Sequence, residues 1–279
     1  MFDLNNLKLK EGSEADSELD FSKIEPKLYL SPIQKIEKQP IAISIGKHEY
    51  KGNRYHTPYG SYGDFSCIVG ASKSKKTFLK SLLTACYIGG NAYRYAPEIA
   101  GHQSKDKYII EFDTEQSKFH TQIVSKRTLE MVGIAFYENY RTYYLRELSP
   151  KERTQFIEYI LLESDYKNQI GLFTIDGIAD LITDINSVEQ ATHITEKLLQ
   201  WTAKTNAHGI TILHRNFGSQ KPTGHLGSFV LKKAETVLFV ELNGQQTLVK
   251  PEYTRNLPFQ EFVFELDQNH LSKVINNWE

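Results

Sequence analysis

Gly70-Ala71-Ser72-Lys73-Ser74-Lys75-Lys76-Thr77 follows a run of strand-forming residues, Phe65-Ser66-Cys67-Ile68-Val69, and leads into an apolar stretch with helical spacing. A glycine-led turn that opens a helix at Lys-Thr is suited to holding phosphates. Its backbone N–H groups converge, and the positive end of the helix dipole faces the anion. In such a loop Lys76 reaches the β- and γ-phosphates and the Thr77 hydroxyl ligates Mg²⁺, so Gly70, Ala71, Ser72, Lys73, Ser74, Lys75, Lys76, Thr77 and Phe78 form the candidate nucleotide-binding set. The phosphate-loop pattern G-x-x-x-x-G-K-[ST] carries glycine where this chain has Lys75. A positive φ there would cost about 1 kcal/mol, while the lysine adds a second cation beside the phosphates. The competing reading is an ordinary basic turn between a strand and a helix.

Three further positions could complete a triphosphatase. Asp176 ends the apolar run Leu172-Phe173-Thr174-Ile175, where a carboxylate on a strand beside the phosphate loop would orient magnesium. Glu115, within Asp113-Thr114-Glu115-Gln116-Ser117, offers a carboxylate to orient the attacking water. The plainer alternatives are a turn-capping Asp176 and a helix start in which Asp113 or Thr114 is the cap. His214 ends another apolar run and opens a polar, glycine-rich segment. There His214 or Asn216 could sense a γ-phosphate, and Arg215, Lys221, Lys232 and Lys233 concentrate positive charge that could meet a phosphate backbone.

The elements needed to hold these residues are legible as alternation. Strands are expected over residues 66–69, 107–114, 171–176 and 209–214. Helices are expected over 77–89, 119–131, 150–162 and 187–205. Strands alternating with helices of that length predict an α/β fold, a mostly parallel sheet with helices on both faces, and ligands at the carboxyl ends of the strands. Runs at 234–240, 246–250 and 259–266 predict a C-terminal antiparallel extension. Residues 1–27 read as a mobile charged tail, 28–62 as a β-rich lead-in and 63–279 as the core.

The chain's 279 residues, 40% of them hydrophobic, suffice for a sizeable core, and 33 basic against 34 acidic residues leave a net charge of −1. Nucleic-acid or anionic-membrane binding would therefore have to be local. Two cysteines in apolar stretches, no apolar run of membrane length and a polar N-terminus lead to the expectation of a cytoplasmic protein without a membrane partner.

Taken together, these motifs resemble the RecA-like P-loop ATPases, most closely the plasmid RepA-type hexameric helicase branch (the AAA_25 group) of bacterial mobile elements. The resemblance rests on residues 70–77, 113–117, Phe173-Thr174-Ile175-Asp176-Gly177-Ile178-Ala179-Asp180-Leu181, and Gly224-His225-Leu226-Gly227 running into Lys233-Ala234-Glu235-Thr236-Val237. It implies ATP and Mg²⁺ as cofactors, with Lys76 and Thr77 on the phosphates, Glu115 as catalytic glutamate, Asp176 on the metal and His214 as sensor. It gives Asp180 a supporting part in the metal shell. It also implies a homo-oligomer, hexameric in that branch, acting on single-stranded DNA. A basic finger from the late hairpin would complete a neighbour's site, with Arg255 the first candidate and Lys250 the second. The alternatives are a regulatory or scaffolding ATPase, and a small-molecule kinase, which would call for a lid of arginines.

Overall fold

A computed structural model of the chain describes residues 21–215 and 224–275. The expected tail falls largely outside them, as do Asn216 and Lys221. Residues 1–38 form one unit, whose described part holds helix α1 (Phe21–Leu28), and residues 39–279 form the other. Phe21, Leu28 and Ile33 of the first unit are exposed.

The larger unit holds two sheets. The small one orders β2 (Asn53–Ser61), β1 (Ile41–Tyr50) and β4 (Ile99–Gly101), all antiparallel. The large one has nine strands. β3 (Phe65–Gly70), β5 (Tyr108–Asp113), β6 (Tyr140–Tyr144), β7 (Ile170–Asp176), β8 (His208–His214) and β9 (Thr236–Asn243) run parallel. β10 (Gln246–Thr254), β11 (Phe262–Leu266) and β12 (Ser272–Val274) add an antiparallel edge, giving the order β12-β11-β10-β9-β3-β8-β7-β5-β6. This is an α/β fold compatible with a Rossmann-type or RecA-like core, with the antiparallel extension where the late runs place it.

Alternation along the strands divides the interior into two cores. Phe65, Cys67 and Val69 of β3 pack on one face of the sheet, while Ile68 packs on the other. Helices α4 (Pro150–Leu162), α5 (Val188–Thr205) and α6 (Gly224–Lys233) cover the first face through Ile157, Leu198, Trp201 and Val230. The second face is covered by α2 (Lys76–Ile88) and α3 (Lys118–Val132), through Leu79, Leu83 and Met131, and by the small sheet. Helix α4 begins where Ser149 and Glu152 form a capping box with Pro150 at the first turn, the local signal that fixes its start.

Elements α1, β4, β6, α6 and β12 were not expected from the sequence. β6 was unexpected: its Tyr140-Arg141-Thr142-Tyr143-Tyr144 is an edge strand, half-exposed, with neither a continuous apolar run nor clean alternation. Residues 224–233, expected as part of a loop, are helix α6, whose Lys232 and Lys233 sit in its last turn where cations suit the dipole.

Helix α2 is pinned against the small sheet at Gly101, where an added Cβ would stand 2.4 Å from the Tyr87 carbonyl oxygen. Because that neighbour is helix backbone, Gly101→Ala should cost about 1–3 kcal/mol in urea-induced unfolding.

Candidate functional site

The parallel ladder places Gly70 beside His214 and Asp113 beside Asp176, so the strand ends converge at one edge of the sheet. Asp176 is not on the strand next to the loop strand: β8, carrying His214, lies between β3 and β7. Residues 72–78, Glu115, Gln116, Asp176 and His214 meet around a cavity of about 430 Å³, within the range of small-ligand sites, while Gly70 and Ala71 do not line it.

Gly70 gives the close approach the loop needs, since a Cβ there would stand 2.5 Å from Ser74 Oγ and 2.7 Å from the Val240 carbonyl oxygen. Lys75, directly before α2, has φ 66°, the left-handed conformation that the glycine of the pattern would favour. Lys73 shares it at φ 62°. The Lys75 ammonium donates 2.7 Å to the Gln245 carbonyl in the β9–β10 turn, a local contact that offsets part of the strain. Among the described residues the backbone N–H groups of Lys73, Lys75, Lys76 and Thr77 have no backbone acceptor, so the loop presents donors at a helix N-terminus.

Lys76 Nζ donates to the Ala71 carbonyl at 2.7 Å, the Gly70 carbonyl at 3.1 Å and His214 Nδ1 at 3.2 Å. Burial lowers its pKa, opposed by the charges of Glu115 and Asp176. His214 Nε2 meets Glu115 Oε1 at 3.2 Å. Since an ammonium only donates and a carboxylate only accepts, a neutral His214 must accept at Nδ1 and donate from Nε2. The hydrogen bond from His214 is the main cause holding the Glu115 carboxyl below its ordinary range. That pairing therefore contributes stability above the unfolded-chain carboxylate pKa and loses it as pH falls through the lowered folded value.

Asp176 is buried, and burial pushes its pKa up against the opposing charge of Lys80 and a hydrogen bond with Thr77. Its Oδ2 has no hydrogen bond among the described residues, and neither does the buried Ser74 Oγ in the loop. No group of three His, Cys, Asp or Glu side chains among the described residues could hold a metal alone. The Thr77–Asp176 oxygen pair suits Mg²⁺ bound together with phosphate oxygens and water.

The structure also sorts the neighbours. The N-cap of α3 is Ser117, not Asp113 or Thr114; Asp113 accepts from the loop amides of Glu115 and Gln116 and from the Thr121 hydroxyl, so Glu115 lies before α3 rather than in its first turn. Asp180 accepts 2.8 Å from Thr114, and burial raises its pKa. Arg255 lies at the opposite edge of the sheet, paired with Asp64 and donating to the Lys233 carbonyl at 2.8 Å. Lys250 is inside β10 opposite Phe239. Neither is brought to the cavity within one chain. Arg215 pairs with Glu241 at 3.0 Å, and Lys232 and Lys233 end the helix that leads to the amino end of β9, so these charges do not form one patch.

Sequence reasoning missed Arg127. Its guanidinium stacks 3.7 Å from the Phe78 ring centroid, lines the cavity, and has no hydrogen-bond or ion-pair partner among the described residues. Its signal was its place on α3, which matters only once α3 packs beside α2.

Compared with known proteins, the chain matches no family model and no curated relative. No helix among the described residues is long and apolar enough to cross a membrane.

Replacing Lys75 by glycine should raise stability by about 1 kcal/mol in chemical unfolding, because relief of the left-handed lysine outweighs one exposed hydrogen bond. A fall in stability would show the Gln245 contact to be the larger effect.

Proposed function

We propose that this chain is a Mg²⁺-dependent ATPase of RecA-like organisation. The observation that carries the reading is the convergence of the open loop amides, Lys76, Thr77, Asp176 and the His214-held Glu115 on one cavity at the carboxyl edge of a parallel sheet. An ordinary basic turn would not need two charged groups from distant strands at its mouth.

The loop amides and Lys76 bind the β- and γ-phosphates, with the Lys76 ammonium exchanging loop carbonyls for phosphate oxygens. Thr77 and Asp176 would hold Mg²⁺, which would neutralise charge on the phosphate oxygens. Glu115, ionised by its contact with His214, is a weak proton acceptor, so its part is to fix the water in line with the γ-phosphate. Phosphoryl transfer asks mainly for such positioning. Phe78 and Arg127 form an aromatic and cationic wall on which a nucleobase can stack.

Following the resemblance, the working form is a homo-oligomer in which Arg255 leaves Asp64 to reach a neighbour's γ-phosphate, and the polymer acted on is single-stranded DNA. A regulatory or scaffolding ATPase is the second reading, favoured by the engagement of Arg215 with Glu241 and by the placement of Lys232 and Lys233 away from the cavity.

Calorimetric titration tests the site directly. Lys76→Ala should abolish triphosphate binding in a folded protein, whereas Glu115→Gln should keep ATP affinity and lose about 10²- to 10⁴-fold in turnover. Wild-type affinity in Lys76→Ala would overturn the assignment. For the oligomer, Arg255→Ala should bind ATP normally yet hydrolyse it poorly, and mixing it with Lys76→Ala protein should restore activity. A protein monomeric with and without nucleotide would remove the finger.

A further inference from the structure

Behind the cavity, α2 carries a column of polar side chains at four-residue spacing: Lys76, Lys80 and Thr84. Residues four apart lie on one helix face. Lys76 opens toward the loop, whereas Lys80 points into the protein and is only 1% exposed. Its Nζ lies 3.5 Å from Glu111 Oε2 on β5 and 3.5 Å from Asp176 Oδ2 on β7. Glu111 is itself fully buried and held from two other sides, by the Tyr140 hydroxyl at 2.7 Å and the Thr84 hydroxyl at 3.2 Å.

We infer that Lys80 is a positioning residue for Asp176, its ammonium fixing Oδ2 inside the protein so that Oδ1 is the oxygen offered, with Thr77, to a divalent cation. The inference rests on the nucleotide-site reading and deepens it.

Two features separate it from a plain buried ion pair. Lys80 hydrogen-bonds Glu111 yet stands equally far from Asp176, and Asp176 Oδ2, which has no hydrogen bond among the described residues, has this ammonium as its ion-pair partner. The charges also divide the work. Glu111 balances Lys80, which leaves the negative charge of Asp176 for the metal. A lysine facing Asp176 alone would orient the carboxylate and cancel it at once. Helix α2 thus supplies one cation for phosphates and, one turn further in, another for the carboxylate that shares the metal with them.

The test uses the full chain carrying Lys80→Met together with Glu111→Gln. Methionine keeps the length, glutamine keeps an acceptor for Tyr140 and Thr84, and removing both charges of a buried pair is tolerated far better than removing one. Thermal unfolding establishes folding. Calorimetry with ATP in EDTA reports the phosphate site, and Mn²⁺ titration of the ATP complex by electron paramagnetic resonance reports the metal. The expected result is unchanged ATP affinity without metal and a 10- to 100-fold loss in Mn²⁺ affinity, the scale seen when partners that orient metal ligands are removed. A folded double variant with unchanged or tighter Mn²⁺ binding overturns the role of Lys80 and leaves the nucleotide site standing. Wild-type protein that binds no ATP in EDTA and no Mn²⁺ overturns both. If the double variant does not fold, Glu111→Gln alone decides: it leaves Lys80 with Asp176 as its one ion-pair partner among the described residues, which should weaken Mn²⁺ at least 10-fold. Unchanged affinity there overturns the inference.

Discussion

Hydrogen bonding between parallel strands fixes which residues stand side by side, and the rest of this molecule follows from that register. With Gly70 beside His214 and Asp113 beside Asp176, the polar ends of four strands share one edge. A shift of one residue in any strand would turn its site side chain to the opposite face. Asp113, Glu111 and Ile109 share one face of β5, as Asp176, Thr174 and Leu172 share one face of β7, and α2 covers that face. The glycine-led loop, the acidic row and the helix dipole meet because the ladder leaves them no other place.

Within that frame, two lysines one helical turn apart are driven in opposite directions. Lys76 contacts carbonyls and an imidazole, and burial lowers its pKa. Lys80 is buried more deeply, yet the charges of Glu111, Asp176 and Asp113 outweigh desolvation and raise its pKa. A cation that can leave its partners suits a group that must move onto a ligand. A cation locked between carboxylates suits one that must not. Buried ionic clusters of this kind contribute little net stability, so specificity of placement is the better account of this one.

The near-balance of 33 basic and 34 acidic residues is reflected in pairings that engage one cation expected to face a polymer and the one expected to act as a finger. Arg215 is engaged by Glu241, and Arg255 by Asp64. The β9–β10 hairpin reaches the loop at its tip, through Gln245 and Lys75, while its other end carries Arg255 at the far edge. One hairpin therefore spans the sheet from the loop to the opposite edge.

Sequence alone determined the α/β class, the strand–helix order through β3, α2, β5, α3, α4, β7, α5 and β8, the antiparallel extension, and the polar residues Asp113, Asp176 and His214 at the strand ends, because periodicity and turn chemistry are local and written in residue order. Even the left-handed geometry at Lys75 was legible from the pattern it interrupts. Edge strand β6 was not, since a half-exposed strand needs no apolar alternation. Helix α6 was hidden by its glycine-rich start. Tertiary structure alone decided that β8 separates β3 from β7, that Arg255 belongs to Asp64, and that Arg127 meets Phe78. It also decided that Lys80 finds Glu111 and Asp176. Those are contacts between residues up to about two hundred positions apart, and strand order and helix packing, which residue order does not encode locally, are what bring them together.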